Sequence, residues 1–264
     1  MGSEYREEND MTTKTLILGD VQGANEAADD LIRSLMAEHP IDQIIQVGDM
    51  GFCYPGYNPW TTDYGVPQKW IDGNHENFDL LHKRHIPNFG EDPYHSMAPL
   101  GWRKFLDLWE YKPRGTIENG VLYIGGAMSP PWFISDAQEG VEWWSQEQIT
   151  EKDYLIALEN IESYEGGPDK IHTVISHDCP TSFSMDEMLG GPSWSSKTRF
   201  FLEEIRILTL PERWYFGHYH FQYEGVFEGC NWRCLNEIKW NRKIEDQDYI
   251  IVDLPDKNGY PPVI

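Results

Sequence analysis

The chain has 264 residues, 44 acidic against 21 basic, and a formal charge of −23. That balance argues against a tight, nonspecific grip on nucleic acid, which needs Lys and Arg to displace counterions, and reads instead as a solvated surface. The length suits one large domain or two small ones with a sizeable core, and the sequence holds neither a bilayer-spanning apolar run nor a signal peptide, so a cytoplasmic protein with no membrane partner is expected.

Residues 1–13 are polar and charged and read as a flexible tail, with a single domain expected over 14–264 because no linker divides the rest. Residues 14–18 form an apolar run typical of a strand. From Asn25 to Glu38, Ala27, Ala28, Leu31, Ile32 and Leu35 share one helical face, and Pro40 lies just past the end. A second strand follows at 43–47. Strand, helix and strand with short connections make a parallel βαβ unit. Residues 50–66, rich in aromatics, Gly and Pro, read as a long loop; such loops in compact domains are often binding elements, though packing flat on the domain is an equal alternative. A strand near 67–72, a short helix near 77–84 and another near 100–110 come next. A hairpin over 115–118 and 121–125 turns at Asn119-Gly120. A second loop leaves Gly125-Gly126-Ala127, and a helix is expected over about 145–163, with Ser145 and Gln148 as a capping box. A strand at 171–175, a helix near 196–207 and short strands and turns over 213–253 complete the chain.

Five of these runs stop abruptly in Gly or Ser, and a residue able to bind metal follows each. They are Gly19 then Asp20, Gly48 then Asp49, Gly73 then Asn74-His75, Ser176 then His177, and Gly217 then His218-Tyr219-His220. A sheet aligns the ends of its strands, so these side chains can converge on one point. Their oxygen and nitrogen donors, without thiolate, suit a hard or borderline divalent cation. With Gln22 they number enough for two ions, and His75 is left over to act on substrate. His218 and His220 alternate, so on a strand both would face one way. Helix capping is the alternative for Asp20 and Asp49. Cys53, Cys179, Cys230 and Cys234 contain no second close pair to complete a zinc site and read as buried or partly buried free thiols. His39, His82, His85, His95 and His172 fit no motif and receive no role. Trp60, Trp132, Trp143 and Trp144 could stack a base, but packing is favoured.

The five motifs in this order, Gly19-Asp20-Val21-Gln22-Gly23, Gly48-Asp49, Gly73-Asn74-His75-Glu76, Ser176-His177-Asp178 and Gly217-His218-Tyr219-His220, resemble the calcineurin-like metallophosphoesterase superfamily, and within it the stand-alone bacterial and phage members. Those members also share a Gly-Gly-Ala strand end followed by a Trp-Trp pair, here Trp143-Trp144. The resemblance implies an α/β fold, a four-layer α/β/β/α sandwich of two mixed β-sheets flanked by helices, with the metal site at the C-terminal ends of the strands. It implies a dinuclear hydrolase with two divalent ions, manganese first, and iron, zinc, nickel or cobalt as alternatives. Asp49 would bridge the ions, Asp20, Gln22 and His220 would hold the first, and Asn74, His177 and His218 the second. His75 would hydrogen-bond the phosphate and protonate the leaving oxygen while a metal-bridging hydroxide attacks in line. Two departures matter. Gln22 stands where most members carry His. Asp49 is followed by Met50-Gly51-Phe52, without the Asp and Arg of the protein phosphatases. The aromatic loops and the missing Arg favour a phosphodiester or nucleotide-type phosphate ester as substrate; a phosphomonoesterase acting on protein or small molecules, and a non-catalytic scaffold, are the alternatives.

Overall fold

Period-two alternation sorts the apolar runs into layers. In the first strand Leu16 and Leu18 join one buried cluster while Ile17 joins another; Leu122 and Ile124 part in the same way from Val121 and Tyr123, Val174 from Ile175, and Trp214 and Phe216 from Tyr215. The structure, a computed structural model, describes residues 12–81, 100–183, 185, 196–243 and 247–255. Its strands are β1 (Thr12–Leu18), β2 (Gln43–Gln46), β3 (Gln68–Trp70), β4 (Trp109–Tyr111), β5 (Thr116–Glu118), β6 (Val121–Ile124), β7 (Thr173–Ser176), β8 (Arg213–Phe216), β9 (Tyr223–Phe227), β10 (Cys230–Cys234) and β11 (Tyr249–Pro255). Its helices are α1 (Asn25–Glu38), α2 (Phe78–Leu81), α3 (Leu100–Leu108), α4 (Pro131–Asp136), α5 (Glu151–Ser163) and α6 (Lys197–Thr209).

The strands form two mixed sheets in the orders β11-β1-β2-β3-β4 and β5-β6-β7-β8-β10-β9. In the first, only the β11 pairing is antiparallel; in the second, β6, β7, β8 and β10 run parallel between antiparallel edges. Ile17, Ile45, Ile175 and Tyr215 meet between the sheets. The outer face of the first sheet packs on α1 through Ala28, Leu31, Ile32 and Leu35, and on α3 through Trp102 and Phe105. The outer face of the second packs on α5 and α6 through Ala157, Ile161, Leu202 and Ile205. Burying a Leu or Ile side chain contributes roughly 1.5–3 kcal/mol, so Leu31, Ile32 and Leu35 carry most of the docking of α1. The result is the expected α/β/β/α sandwich. In both sheets the parallel strands β1, β2, β3, β7 and β8 are those that lead into the five motifs.

The hairpin turns as expected, with both Asn119 and Gly120 at positive φ, which a two-residue turn of the primed type requires. Several boundaries differ. Thr12 and Thr13, expected in the tail, pair with Pro255 and Leu254, while residues 1–11 lie outside the described residues, as do 82–84 of the expected short helix. The helix expected from 145 begins six residues later. Ser145–Glu147 is a 3-10 turn without a capping bond, and Thr150 and Asp153 form the capping box instead. A six-residue helix, α4, interrupts the loop after Gly126. The end of the helix expected over 100–110 is strand, because Trp109-Glu110-Tyr111 pairs in register with Gln68-Lys69-Trp70.

Candidate metal centre

The strand-end motifs are short because the backbone must turn under its neighbours. A Cβ added to Gly73 would lie 2.1 Å from Asp49 Oδ1 and 2.7 Å from His177 Nε2; one added to Gly217 would lie 2.1 Å from Asp20 Oδ1. Gly48 is at φ +108, and a Cβ there would sit 2.4 Å from His177 Nδ1. Glycine at these turns leaves the space in which the polar side chains gather. The following residues bear backbone strain: Gln22, Asp49, His218 and His220 all have φ between 45° and 71°, a left-handed region unfavourable to side chains. His218 and His220 therefore do not alternate along a strand. β8 ends at Phe216, and the two histidines reach the centre from a bend whose middle residue, Tyr219, is pinned by its hydroxyl to Asp178 at 2.6 Å.

Buried Glu76 explains the fourth letter of Gly-Asn-His-Glu. It accepts from the Met50 and Gly73 amides at 2.8 and 2.9 Å and so ties the β2 and β3 turns together. Gln46, also buried, accepts from the Gly48 amide at 3.0 Å and donates to the Gly19 carbonyl at 3.2 Å. Neither role was read from the sequence, although a glutamine at the last position of an apolar strand was a signal. Asp20 caps no helix: α1 has Ala24 at its N-cap and no side-chain cap.

All eight residues expected at the site come together. Asp49 is central. Its Oδ1 accepts from the Asn74 and His75 amides at 2.8 and 2.9 Å, and its Oδ2 from Gln22 Nε2 at 2.9 Å. On one side of it, Gln22 Nε2 lies 3.0 Å from His220 Nε2, which lies 3.2 Å from Asp20 Oδ2. On the other, His177 Nε2 lies 3.3 Å from Asp49 Oδ1 and 3.2 Å from Asn74 Oδ1, and His218 Nδ1 is 2.9 Å from the same Asn74 oxygen. Asp20, Asp49 and His220 each offer a ligand atom within 4.8 Å of the others. Turning the Gln22 amide over would present Oε1 to that group. His75 lies beside Asn74, half-buried, with its ring 5.1 Å from Tyr54 and 5.9 Å from Phe133, and its Nδ1 buried without a hydrogen-bond partner among the described residues.

The donor set fits a cation. His177 Nδ1 lies 2.9 Å from the Val47 carbonyl and must donate to it, which leaves Nε2 of a neutral ring with its lone pair facing two oxygens. That arrangement repels itself unless a positive charge lies among the three atoms. Without a metal the charge is a proton: burial opposes it, but the carboxylates of Asp49 and Asp20 push the His177 pKa up to about 10. Burial likewise opposes charge on Asp49, yet His177 and His75 hold it well below the usual carboxylate range. Burial lowers His218 to about 4 despite Asp178, leaving a neutral ring with a lone pair to offer.

Among the tryptophans near the loops, Trp60 and Trp144 are buried, and Trp143 is half-buried, whereas Trp132 is 68 % exposed. His172 is held by Thr173 and the Asn119 carbonyl, His39 is exposed, and His82, His85 and His95 lie outside the described residues. Cys179, Cys230 and Cys234 are buried free thiols and Cys53 is half-buried. No helix among the described residues is long and apolar enough to cross a membrane.

No curated protein matches the sequence. Among solved structures, a protein of Thermus thermophilus superposes with a TM-score of 0.52 at 10 % identity, over 92 % of this chain and 100 % of that one. At that identity the likeness speaks to fold alone. Two others align more loosely. A Staphylococcus aureus protein described as a putative 5'-nucleotidase reaches 0.48 at 12 % identity, over 93 % of this chain and 54 % of that one. A phosphopantetheinyl hydrolase of Mycobacterium tuberculosis reaches 0.47 at 14 %, over 96 % and 100 %. The family model for calcineurin-like phosphoesterases matches residues 13–222, a span that takes in all five strand ends and the residues gathered beyond them. The chain therefore belongs to the calcineurin-like phosphoesterase family, hydrolases of phosphate esters that depend on metal.

Proposed function

We propose that this chain hydrolyses a phosphodiester or nucleotide-type phosphate ester with two divalent cations, manganese first among them. The observation that carries the reading is the position of Asp49 between two groups of donors, Asp20, Gln22 and His220 on one side and Asn74, His177 and His218 on the other. Two buried carboxylates alone would repel a phosphate; cations held by these residues reverse the sign of the pocket. When bound, such ions supply Lewis acidity and a water activated near neutral pH. The protein's own part is positional. Backbone amides of Asn74 and His75 fix the Asp49 carboxylate, and the glycine turns keep the pocket open. His75 would donate a hydrogen bond to a phosphate oxygen and then a proton to the leaving oxygen.

The choice of substrate rests on α4. None of its residues is buried, and Trp132 stands exposed 6.3 Å from Phe133, whose ring faces His75. A flat aromatic surface beside the proposed acid suits a leaving group with a π-face, such as a nucleoside. The test is hydrolysis of mono- and bis-nitrophenyl phosphate with manganese, beside Asp49→Asn. Preference for the bis compound, lost in Asp49→Asn, is the expected result. Preference for the mono compound would favour a phosphomonoesterase, and inactivity with several metals a scaffold.

A further inference from the structure

Three buried polar side chains run in a line away from the centre. Asn74 Nδ2 donates to Ser129 Oγ at 3.1 Å, and Ser129 Oγ donates to Glu147 Oε2 at 2.9 Å, while the Ser129 amide donates to Glu147 Oε1 at 2.5 Å. Asn74, Ser129 and Glu147 are at most 2 % exposed. Glu147 ends the 3-10 turn Ser145–Glu147, and its carbonyl accepts from the Ala127 amide at 3.0 Å and from Arg114 Nη2 at 2.9 Å. Arg114 in turn grips Asp72, two residues before Asn74, at 2.7 Å. Both ends of the line are thus fastened to the framework.

An asparagine amide is nearly symmetric in shape, so a partner must decide which end faces where. In its carboxylate form Glu147 is acceptor-only. It takes the single hydroxyl hydrogen of Ser129 and leaves that oxygen with only a lone pair toward Asn74. Only the NH2 end can then face Ser129, and Oδ1 must face His177 and His218. We propose that Ser129 and Glu147 are positioning residues that set the amide sense of Asn74 and thereby hold its oxygen ready for the second cation. This rests on the two-cation reading above. A plainer role, closing the loop after Gly126 onto the turn at 145–147, would need no particular direction of hydrogen bonding.

Glu147→Gln separates the two. The fixed Ser129 amide claims the single acceptor oxygen of the new side chain, so its NH2 faces Ser129 Oγ and donates. The hydroxyl hydrogen is then released toward Asn74 and favours the wrong end of the amide. Shape is kept while the direction reverses. The experiment is calorimetric titration of the metal-free protein with manganese, well on the alkaline side of Glu147's own value of about 7, together with melting of the metal-free form. Wild type is expected to bind two ions. Glu147→Gln and Ser129→Ala are expected to weaken one of them by roughly 10- to 100-fold, the usual effect of losing an outer partner, with the other unchanged. High manganese should restore kcat. Two ions bound as tightly as in wild type by both variants, with only the melting temperature lowered, would overturn the inference, as would wild type binding fewer than two. If either variant does not fold, the other carries the test. Wild type that binds two ions but cleaves no ester would defeat the proposed function and leave this inference standing.

Discussion

Gly73→Ala tests whether the strand-end glycines exist to make room for the centre. Gly73 has no positive φ, so alanine brings no backbone strain and its effect is steric alone. The new methyl would lie 2.1 Å from Asp49 Oδ1 and 2.5 Å from the Asp49 amide nitrogen. A tolerable C···O contact is about 3.3 Å, so the carboxylate or the β3 turn would have to retreat by about 1.2 Å. Overpacking of this kind costs about 1–3 kcal/mol, and misplacement by 1 Å costs about 100-fold in rate. Gly56→Ala is the control: Gly56 is at φ +85 and nothing among the described residues lies within 4 Å of its added Cβ. It should lose about 1–2 kcal/mol of stability from the left-handed backbone and keep its activity. The assay pairs thermal melting with manganese titration and hydrolysis of bis-nitrophenyl phosphate. A Gly73→Ala protein that binds manganese and turns over like wild type would show that the Asp49 carboxylate is not held against Gly73.

Thr150→Ala should cost about 1 kcal/mol through the lost cap, about 2–4 °C in melting temperature, whereas Ser145→Ala should leave melting unchanged; equal losses would place the start of α5 elsewhere. Trp132→Ala should raise KM for a nucleoside phosphodiester about tenfold, from stacking worth ~1–3 kcal/mol, and leave a dimethyl phosphate ester untouched; an equal change for both would remove the platform. Burial holds the His172 imidazole below its ordinary value. The unfolded chain therefore takes up its proton first as pH falls below about 6.5, and stability present above that value is lost on acidification. His172→Gln should flatten this part of the stability–pH curve, and an unchanged slope would count against it.

The sequence announces the centre more loudly than its surroundings. Each motif sits at a strand end, and at three of the five the glycine, Gly48, Gly73 or Gly217, is required by crowding against His177, Asp49 or Asp20, so local pattern and global convergence coincide. Helix α1 was legible because its apolar face is unbroken, and the Asn119-Gly120 turn because both residues tolerate positive φ. The residues behind the centre were not legible. Ser129 and Glu147 are far from Asn74 in sequence and meet it only through the loop that follows Gly126 and the turn at 145–147. Strand β4 was hidden because it continues from α3 without a break and is defined only by its pairing with β3. The start of α5 was misplaced because Ser145 and Thr150 both carry capping spacing, and only Thr150 receives the backbone amide of its partner.

The left-handed residues around the centre restrict how this protein can change. Replacing Gln22, Asp49, His218 or His220 with glycine would relax the chain and erase a donor in the same step, so ordinary drift has no route to ease those bends. Leu210 carries a similar backbone at the end of α6, with φ 44 and an exposed side chain, and there relief erases no donor. Anyone seeking a sturdier version should begin there, and leave the uncomfortable residues at the strand ends as they are.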